Sequence, residues 1–402
     1  MRMIRAVAIM LTLTVTISLV GCVSYVDLSD RAIVQAIGID YLPEKKVYRI
    51  SVQYFNQSSE GGQNQIDKTQ DNVLKSVGEG ESIFAAAKNA SMLTGKDLLL
   101  SENRLIIIGK ELRKYKLGDT LEFFVGNYHS HPQAYVAAAE DTAEELLDIR
   151  FKEGSTSSQR LANLIHNASV ESRNKSTYSY QVMTMLCTST ESAFLPLLRT
   201  ATLKTDVTIP KETGGGNGNG GGEEQSEDGE KTIILDGGVV FKGGKELCRV
   251  DDDGAMAIFF MNDMPSEYSF TVPLGQNAKP SVMLIGVTRS IKATEYNGKV
   301  KFDVTFSASG KIGSKGGLKE DEKKAAEKVA EPAERELKRK IESSVIPIAK
   351  KGCDVFGLEN TLRRCCNRFY RENIDRVGEI IAESEIEVNV NIDIFSQGIG
   401  GA

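Results

Sequence analysis

The sequence predicts an α+β protein with mixed sheets, divided into three small domains behind a lipid-anchored N-terminus. Two observations predict this class. Stretches that alternate apolar and polar residues, as half-buried strands do, occur between stretches with a helical repeat of apolar positions. The chain has 402 residues, of which 41% are apolar and 26% charged. This composition is typical of a globular protein, and the length suits about two to three domains.

The first 22 residues are organised as an export signal. Two arginines near the start precede a run from 6 to 20 that carries no charge. This run is shorter than the about 20 residues of a membrane span, but it suits the apolar region of a secretory signal. The stretch LVGC at 19–22 resembles the lipobox of bacterial lipoproteins. We therefore predict a signal peptide over 1–21, cleaved before Cys22.

Cys22 is the predicted site of lipid attachment. Its thiol can take a diacylglyceryl group as a thioether, and the small Gly21 before it lets a peptidase cut. Two acyl chains then give stable anchoring where one gives only marginal binding. The alternative is that Cys22 is an ordinary thiol at the end of an uncleaved anchor. No second run of 18 apolar residues follows, so no other segment is predicted to span a membrane.

The N-terminal α/β domain is predicted over 22–209. The alternating stretch 47–55 forms a hairpin with the apolar stretch 32–40, across a turn at 40–43. Ser82 can cap a helix that Gly95 ends. The later stretches alternate between strand and helix patterns, with strands at RLIIIGK, AYVAAAE and LKTDVTIP, and helices at LGDTLEFFVGNY, at DTAEELLDI and within 158–187.

A glycine-rich segment, predicted as a linker over 210–231, follows this domain. It has no strand before its glycines, no helix after them and no Lys-Ser or Lys-Thr, which argues against a phosphate-binding loop. We interpret it as a flexible linker spanning about 25 Å on average. The alternative is a long hairpin tip within one domain.

A β-rich middle domain is predicted over 232–290. Its first 30 residues indicate three short strands with glycine-rich turns. The stretch DDDG within them resembles the start of a calcium loop, but the twelfth position from Asp251 is Asn262 and not glutamate. We therefore interpret DDDG as a turn.

The C-terminal α/β domain is predicted over 291–402. Asn297-Gly298 is a strong hairpin signal between two long strands. Apolar residues at every fourth position from Val329 to Val345 predict a long charged helix, which Pro332 should kink or restart. A helix after Asn360 and an alternating strand over 386–394 complete the chain.

The sequence predicts no catalytic, cofactor-binding or metal-binding residue, and no enzyme. Motifs of hydrolases, kinases and nucleotide-binding loops do not occur. His129 and His131 could share a strand face, but no further ligands accompany them. The net charge of −6 gives no reason to expect nucleic acid as a partner.

Five cysteines remain besides Cys22, and none forms a C-x-x-C pair. A disulfide from Cys353 to Cys365 or Cys366 is conceivable in an exported protein. Unpaired and mostly buried thiols are the preferred prediction. The five are Cys187, Cys248, Cys353, Cys365 and Cys366.

Several stretches, in order, resemble the GerAC-type, or Ger(x)C, spore germination lipoproteins. The resemblance covers nearly the whole mature chain. Family members often carry Trp-Asp directly after the lipid cysteine, where this chain has Val23-Ser24. The stretches are GC followed by AIVQAIGID, then RLIIIGKEL, LDGGVVFKGGKEL, the paired strands over 281–312 and CDVFGLENTLRR.

The resemblance implies a non-catalytic subunit of a spore germinant receptor. It implies two integral-membrane partners, the A and B subunits, and a place on the extracytoplasmic face of the spore inner membrane. It also implies a role in nutrient-triggered germination and three mixed α/β domains. Only Cys22 carries over as a functional residue. The alternative is a surface solute-binding lipoprotein that captures a small ligand in a hinged cleft between two lobes.

Overall fold

The strands of a computed structural model of the chain form two sheets joined by helices. The predicted lipid site Cys22 and most of the predicted signal peptide and linker lie outside the described residues. The structure describes residues 30–55, 73–126, 130–151, 156–203, 230–275 and 278–395, with residues 3, 5, 6 and 10 near the start.

The first sheet has a parallel centre and antiparallel flanks. Its order is β3-β2-β1-β5-β6-β7-β8-β9, and β4 pairs with the beginning of β1. The four central strands β1, β5, β6 and β7 run parallel. The strands are β1 Arg31–Leu42, β2 Val47–Phe55, β3 Val73–Gly80, β4 Asp97–Leu99, β5 Leu105–Ile108, β6 Tyr135–Ala139, β7 Ala193–Leu203, β8 Glu230–Lys242 and β9 Lys245–Val250.

The predicted hairpin of β1 and β2 is confirmed, but its turn lies later than predicted. β1 continues through the predicted turn to Leu42, which pairs with Val47. The chain then turns over 43–46, and Lys46 has a φ of 55°. The apolar stretch of β1 therefore forms a longer buried strand than its pattern alone indicates.

The second sheet combines a long hairpin with a parallel closing strand, in the order β10-β11-β12-β13. The hairpin turns at Asn297 and Gly298, whose φ angles of 52° and 77° are those of the tight turn this dipeptide favours. The last strand runs parallel to β12, as a helical crossover allows. The strands are β10 Glu267–Thr271, β11 Ser281–Tyr296, β12 Lys299–Ser314 and β13 Glu385–Ile394.

Ten α-helices among the described residues cover the sheets. The predicted helical region 158–187 contains two of them. The helices are α1 Ile83–Thr94, α2 Leu117–Val125, α3 Ala143–Asp148, α4 Ser157–Val170, α5 Ser179–Leu186, α6 Asp252–Asn262, α7 Glu322–Ala349, α8 Leu358–Cys365, α9 Asn367–Glu372 and α10 Val377–Glu383.

Helix α6 corrects the sequence analysis, which placed a turn and a third strand here. The Asp251 side chain caps the helix by accepting from the Gly254 N–H. All residues from 254 to 261 are buried, so the helix has no polar face and no helical periodicity to detect. It lies in the core, where Phe260 contacts Tyr268 and Phe306 of the second sheet.

Helix α7 is continuous through Pro332, so the predicted restart does not occur. The predicted apolar stripe from Val329 to Val345 is buried and packs in the core with the second sheet. Because this packing continues on both sides of Pro332, it outweighs the cost of about 3 kcal/mol for a proline inside a helix.

The predicted domain boundaries do not coincide with the sheets. β8 and β9 lie in the predicted middle domain, 232–290, but they pair with β7 in the first sheet. β10, from the same predicted domain, belongs to the second sheet. Leu203 pairs with Glu230, so the glycine-rich segment joins two neighbouring strands of one sheet, which favours the hairpin-tip alternative.

Candidate functional site

The start of β1 fixes which end of the first sheet lies near the predicted anchor. Arg31, the first residue of β1, pairs with Asp97 of β4. Arg31 is nine positions after Cys22, and a fully extended chain of that length spans about 30 Å. We call this the anchor-side end of the first sheet.

The last turn of α1 lies at the anchor-side end. Val34, Tyr54 and Leu74 form one row across β1, β2 and β3, close to where β1 begins. The helix runs antiparallel to β3, and the Ser76 hydroxyl donates to the Ala90 carbonyl over 2.9 Å. The residues after Ala90 therefore lie alongside the beginning of β3.

Three exposed apolar side chains lie at this end of the sheet, and we call Leu74, Met92 and Leu93 the apolar tip. Met92 is 70% exposed, Leu93 73% and Leu74 40%. The buried stripe of α1 consists of Ile83, Ala86 and Ala90. Met92 lies off this stripe, whereas Leu93 continues it three residues after Ala90 and is nevertheless exposed. Large apolar side chains clustered in solvent are typical of contact surfaces.

A second apolar feature lies near the beginning of α1. Phe84 is 66% exposed and touches Phe123 of α2 edge to face, with ring centroids 6.3 Å apart. A groove of about 330 Å³ runs beside this pair and is lined also by Arg31 and Leu98. We call this pair and its groove the Phe84 surface.

A cleft of about 500 Å³ separates α4 and β8 from α6 and β10. Asn174 lies in its lining and is only 4% exposed. The Asn174 Nδ2 donates to the Gly237 carbonyl over 2.8 Å, while its Oδ1 has no hydrogen-bond partner. Asp252 and Asp253 make the same lining acidic.

Residues 353–359, which we call the joint, hold the second sheet's helices against the first sheet. The Asp354 carboxylate accepts from the N–H groups of Phe356, Leu358 and Glu359, over 3.2, 2.9 and 2.7 Å. Burial raises the pKa of this carboxyl, and the three N–H donors oppose that shift. Asp354 thereby fixes the turn that leads into α8.

The joint contacts the first sheet through two further side chains. The Cys353 thiol donates to the Phe241 carbonyl of β8 over 3.4 Å. Glu359 accepts from the Ser189 N–H and hydroxyl, over 3.1 and 2.7 Å, and from the Tyr370 hydroxyl over 3.0 Å. These bonds give the CDVFGLE stretch a structural role, which is to connect the two sheets.

Arg113 is a buried charge beside β9. Its side chain is fully buried, and its Nε lies 3.4 Å from the Glu246 Oε2. None of the three guanidinium nitrogens has a hydrogen-bond partner. Burial lowers the pKa of Arg113, and the nearby Glu246 carboxylate opposes that shift.

We expect Glu246→Gln to lower the free energy of unfolding by about 3 kcal/mol, because it leaves the buried guanidinium without its nearest countercharge. Arg113→Met should leave that free energy unchanged or raise it, since the cost of burying the charge disappears. Urea unfolding followed by circular dichroism measures both. Lys110→Met, which breaks the exposed pair with Asp141, is the control and should change stability by less than about 1 kcal/mol. This account would be contradicted if Arg113→Met lowered the free energy of unfolding more than Glu246→Gln does.

The described histidines do not form a metal site. The His131 Nδ1 accepts from the Gln133 N–H, while the His166 Nδ1 lies 3.1 Å from the Tyr135 hydroxyl. His129 lies outside the described residues. In the ranges that the structure describes, no group of three or more His, Cys, Asp or Glu side chains is placed to hold a metal ion.

The five cysteines within the described ranges are free thiols. Cys353 is buried, which raises its pKa to about 12, and Cys248 and Cys366 are half-buried. Cys187 and Cys365 are exposed, so the prediction of mostly buried thiols is wrong for these two. None of the helices in the described residues is long and apolar enough to cross a membrane.

Both halves of the chain match models of spore germination proteins. Residues 24–200 match the spore germination protein N-terminal domain. Residues 236–398 match the model described as spore germination B3/GerAC like, C-terminal. The chain belongs to the GerAC-type family of spore germination proteins.

The fold agrees with this GerAC-type assignment. The crystal structure of the GerBC protein superposes with a TM-score of 0.55 and 12% sequence identity, covering 90% of this chain and 97% of that one. No curated protein matches the sequence significantly. The α+β class and the family resemblance stated from the sequence are therefore confirmed.

Proposed function

We propose that this GerAC-type chain is the lipoprotein subunit of a spore germinant receptor and acts without catalysis in nutrient-triggered germination. It is anchored through a diacylglyceryl group on Cys22, on the extracytoplasmic face of the spore inner membrane. It works by associating with the integral-membrane A and B subunits. The observation that carries this proposal is the family match over both halves of the chain.

The exposed Phe84 surface supports a role in association. Phe84 and Phe123 present aromatic side chains beside a groove, and aromatic residues are enriched where proteins contact one another. This surface belongs to the half of the chain that starts at the predicted anchor, which brings it near membrane-embedded partners.

The receptor proposal predicts that two integral-membrane germinant-receptor subunits co-purify with the tagged lipoprotein. The chain is captured from detergent-solubilised spore inner membrane, and its partners are identified by mass spectrometry. Phe84→Ser should lower the recovery of the subunits severalfold, because it removes a large exposed aromatic contact. Tyr296→Ser, at the 76% exposed hairpin end of the second sheet, is the matched control and should not. Capture of transporter components instead would contradict the proposal.

A second candidate function, capture of a small ligand, is favoured by the cleft at Asn174. Its buried and unpartnered Oδ1 could accept a hydrogen bond from a bound molecule. If this candidate holds, native mass spectrometry of the chain purified from spores shows a bound small molecule. Ser269→Trp, at an exposed position in the cleft, should fill the cleft and prevent binding. The mass of the complex with the small molecule should then disappear from the spectrum. An unliganded mass for the unmodified chain would count against this candidate.

A further inference from the structure

We propose that the apolar tip inserts into the outer leaflet of the bilayer that carries the lipid anchor. Leu74, Met92 and Leu93 would then lie at the boundary between headgroups and acyl chains, as a second membrane contact beside the lipid on Cys22. The inference rests on the proposed anchoring at Cys22 and adds a protein surface to it.

The placement of the tip is set by the chain itself. Leu93 lies four residues before Asp97, and Asp97 pairs with Arg31. Arg31 in turn is nine residues from Cys22, a reach of about 30 Å at full extension. A lipid on Cys22 would therefore limit Arg31 to within about 30 Å of the membrane surface, and the tip lies at the same end of the sheet.

The tip is also rigid enough to present its side chains in one arrangement. The helix ends at Gly95, which is in the left-handed conformation with a φ of 67°. The Ser91 and Thr94 hydroxyls both donate to the Lys96 carbonyl, over 2.9 and 3.0 Å. Because the turn after the helix is fixed, Met92 and Leu93 lose little conformational freedom beyond their own rotamers on insertion.

The chemistry around the tip suits a lipid surface. Lys88 is one helical turn before Met92 and is exposed. Lysine side chains beside apolar residues can extend toward headgroups while the apolar residues enter the boundary region. Anionic lipids attract such positive charge at a membrane surface.

A lipid surface explains the tip better than a protein partner does. Phe84 lies two turns earlier on α1, about 12 Å along the helix axis from Met92, and its side chain lines a groove, which none of the three tip residues lines. The exposed side chains of the tip lie at the end of the sheet from which the chain leads back to the predicted anchor. Apolar side chains of this kind enter the interface to a depth of about 5–10 Å.

The absence of tryptophan from the sequence permits a direct test. Leu93→Trp, Met92→Trp and Tyr296→Trp each give the mature lipidated chain one fluorescent indole. Tyr296 is equally exposed but lies on the second sheet, so its variant is the matched control. Each chain is reconstituted in phosphatidylethanolamine–phosphatidylglycerol vesicles, with or without bromine on the acyl chains, and flotation measures vesicle binding.

We expect the emission of both tip variants to shift to shorter wavelength and to lose most of its intensity in brominated vesicles. Bromine near the headgroup should quench more than bromine near the bilayer centre, since the tip enters only the boundary. The control variant should keep its long-wavelength emission. Its flotation should equal that of the tip variants.

Two results would overturn the proposal while leaving the anchor intact. In the first, the tip variants float with vesicles but are quenched no more than the control. In the second, their emission shifts without quenching and the shift depends on protein density, which identifies a second copy as the occupant. Failure of every variant to float would overturn the lipid anchor and the tip insertion together.

Discussion

Cys22→Ala is expected to remove the chain from the membrane while leaving its domains folded. The variant loses the thiol that carries the diacylglyceryl group, and with it both acyl chains. Each buried CH₂ contributes about 0.8 kcal/mol to membrane binding, so the loss far exceeds what a few surface contacts can replace. The membrane-bound fraction of spore extracts should fall from nearly all to a small minority.

The measurement uses detergent-free fractionation together with labelled palmitate. Because the uncleaved signal could itself hold the Cys22→Ala chain, the variant is exported behind a signal that an ordinary signal peptidase removes. Cys187→Ala, which changes an exposed thiol elsewhere, is the control and should keep both label and location. A Cys22→Ala chain that stays bound after a high-salt wash would contradict the prediction, because contacts other than the lipid would then hold it at the membrane.

Asp354→Ala is expected to lower the free energy of unfolding by at least about 3 kcal/mol. The substitution leaves three backbone N–H groups in the joint without an acceptor, and each buried donor left unpaired costs about 1–3 kcal/mol. Asp354 is only 7% exposed, so water cannot readily replace the carboxylate. Urea unfolding of the full chain measures the loss.

The specificity of this effect can be tested with two further variants. Asp375→Ala removes an exposed carboxylate from the same region and should change stability by less than about 0.5 kcal/mol. Ser189→Ala removes one hydrogen bond to Glu359 and should cost about 1 kcal/mol. Equal stability of Asp354→Ala and Asp375→Ala would mean that the joint does not hold the chain as described.

The fold could be predicted best where local patterns and final packing agree. The alternation in β2 and β13 and the turn at Asn297–Gly298 each reflect a period or a dihedral preference that a short stretch carries by itself. Helix α6 could not be found, because burial on all sides removes the periodicity that marks a helix. The pairing of β8 with β7 depends on contacts across 26 intervening residues, which no local pattern records.

The candidate functional residues also fall into those that a local sequence pattern indicates and those that depend on distant contacts. The predicted role of Cys22 rests on its immediate neighbours in the sequence alone, and it remains a prediction. The apolar tip can be recognised only when the end of α1 is placed next to the start of β1, because the spacing of Leu93 after Ala86 and Ala90 predicts a buried position, whereas its side chain is exposed. Asp354 is one of 55 acidic residues, and only its three N–H donors distinguish it.

The pairing of Leu203 with Glu230 has a consequence for how the family can diversify and be engineered. The pairing of β7 with β8 already brings together the two ends of the segment between them. The length of that segment can therefore change without changing the geometry of either sheet. Doubling the length of such a segment lowers the free energy of unfolding by only about 0.6 kcal/mol, through the entropy of loop closure. Length changes between related chains should therefore be tolerated there, and an epitope or affinity tag inserted between 210 and 225 should leave both halves of the molecule intact.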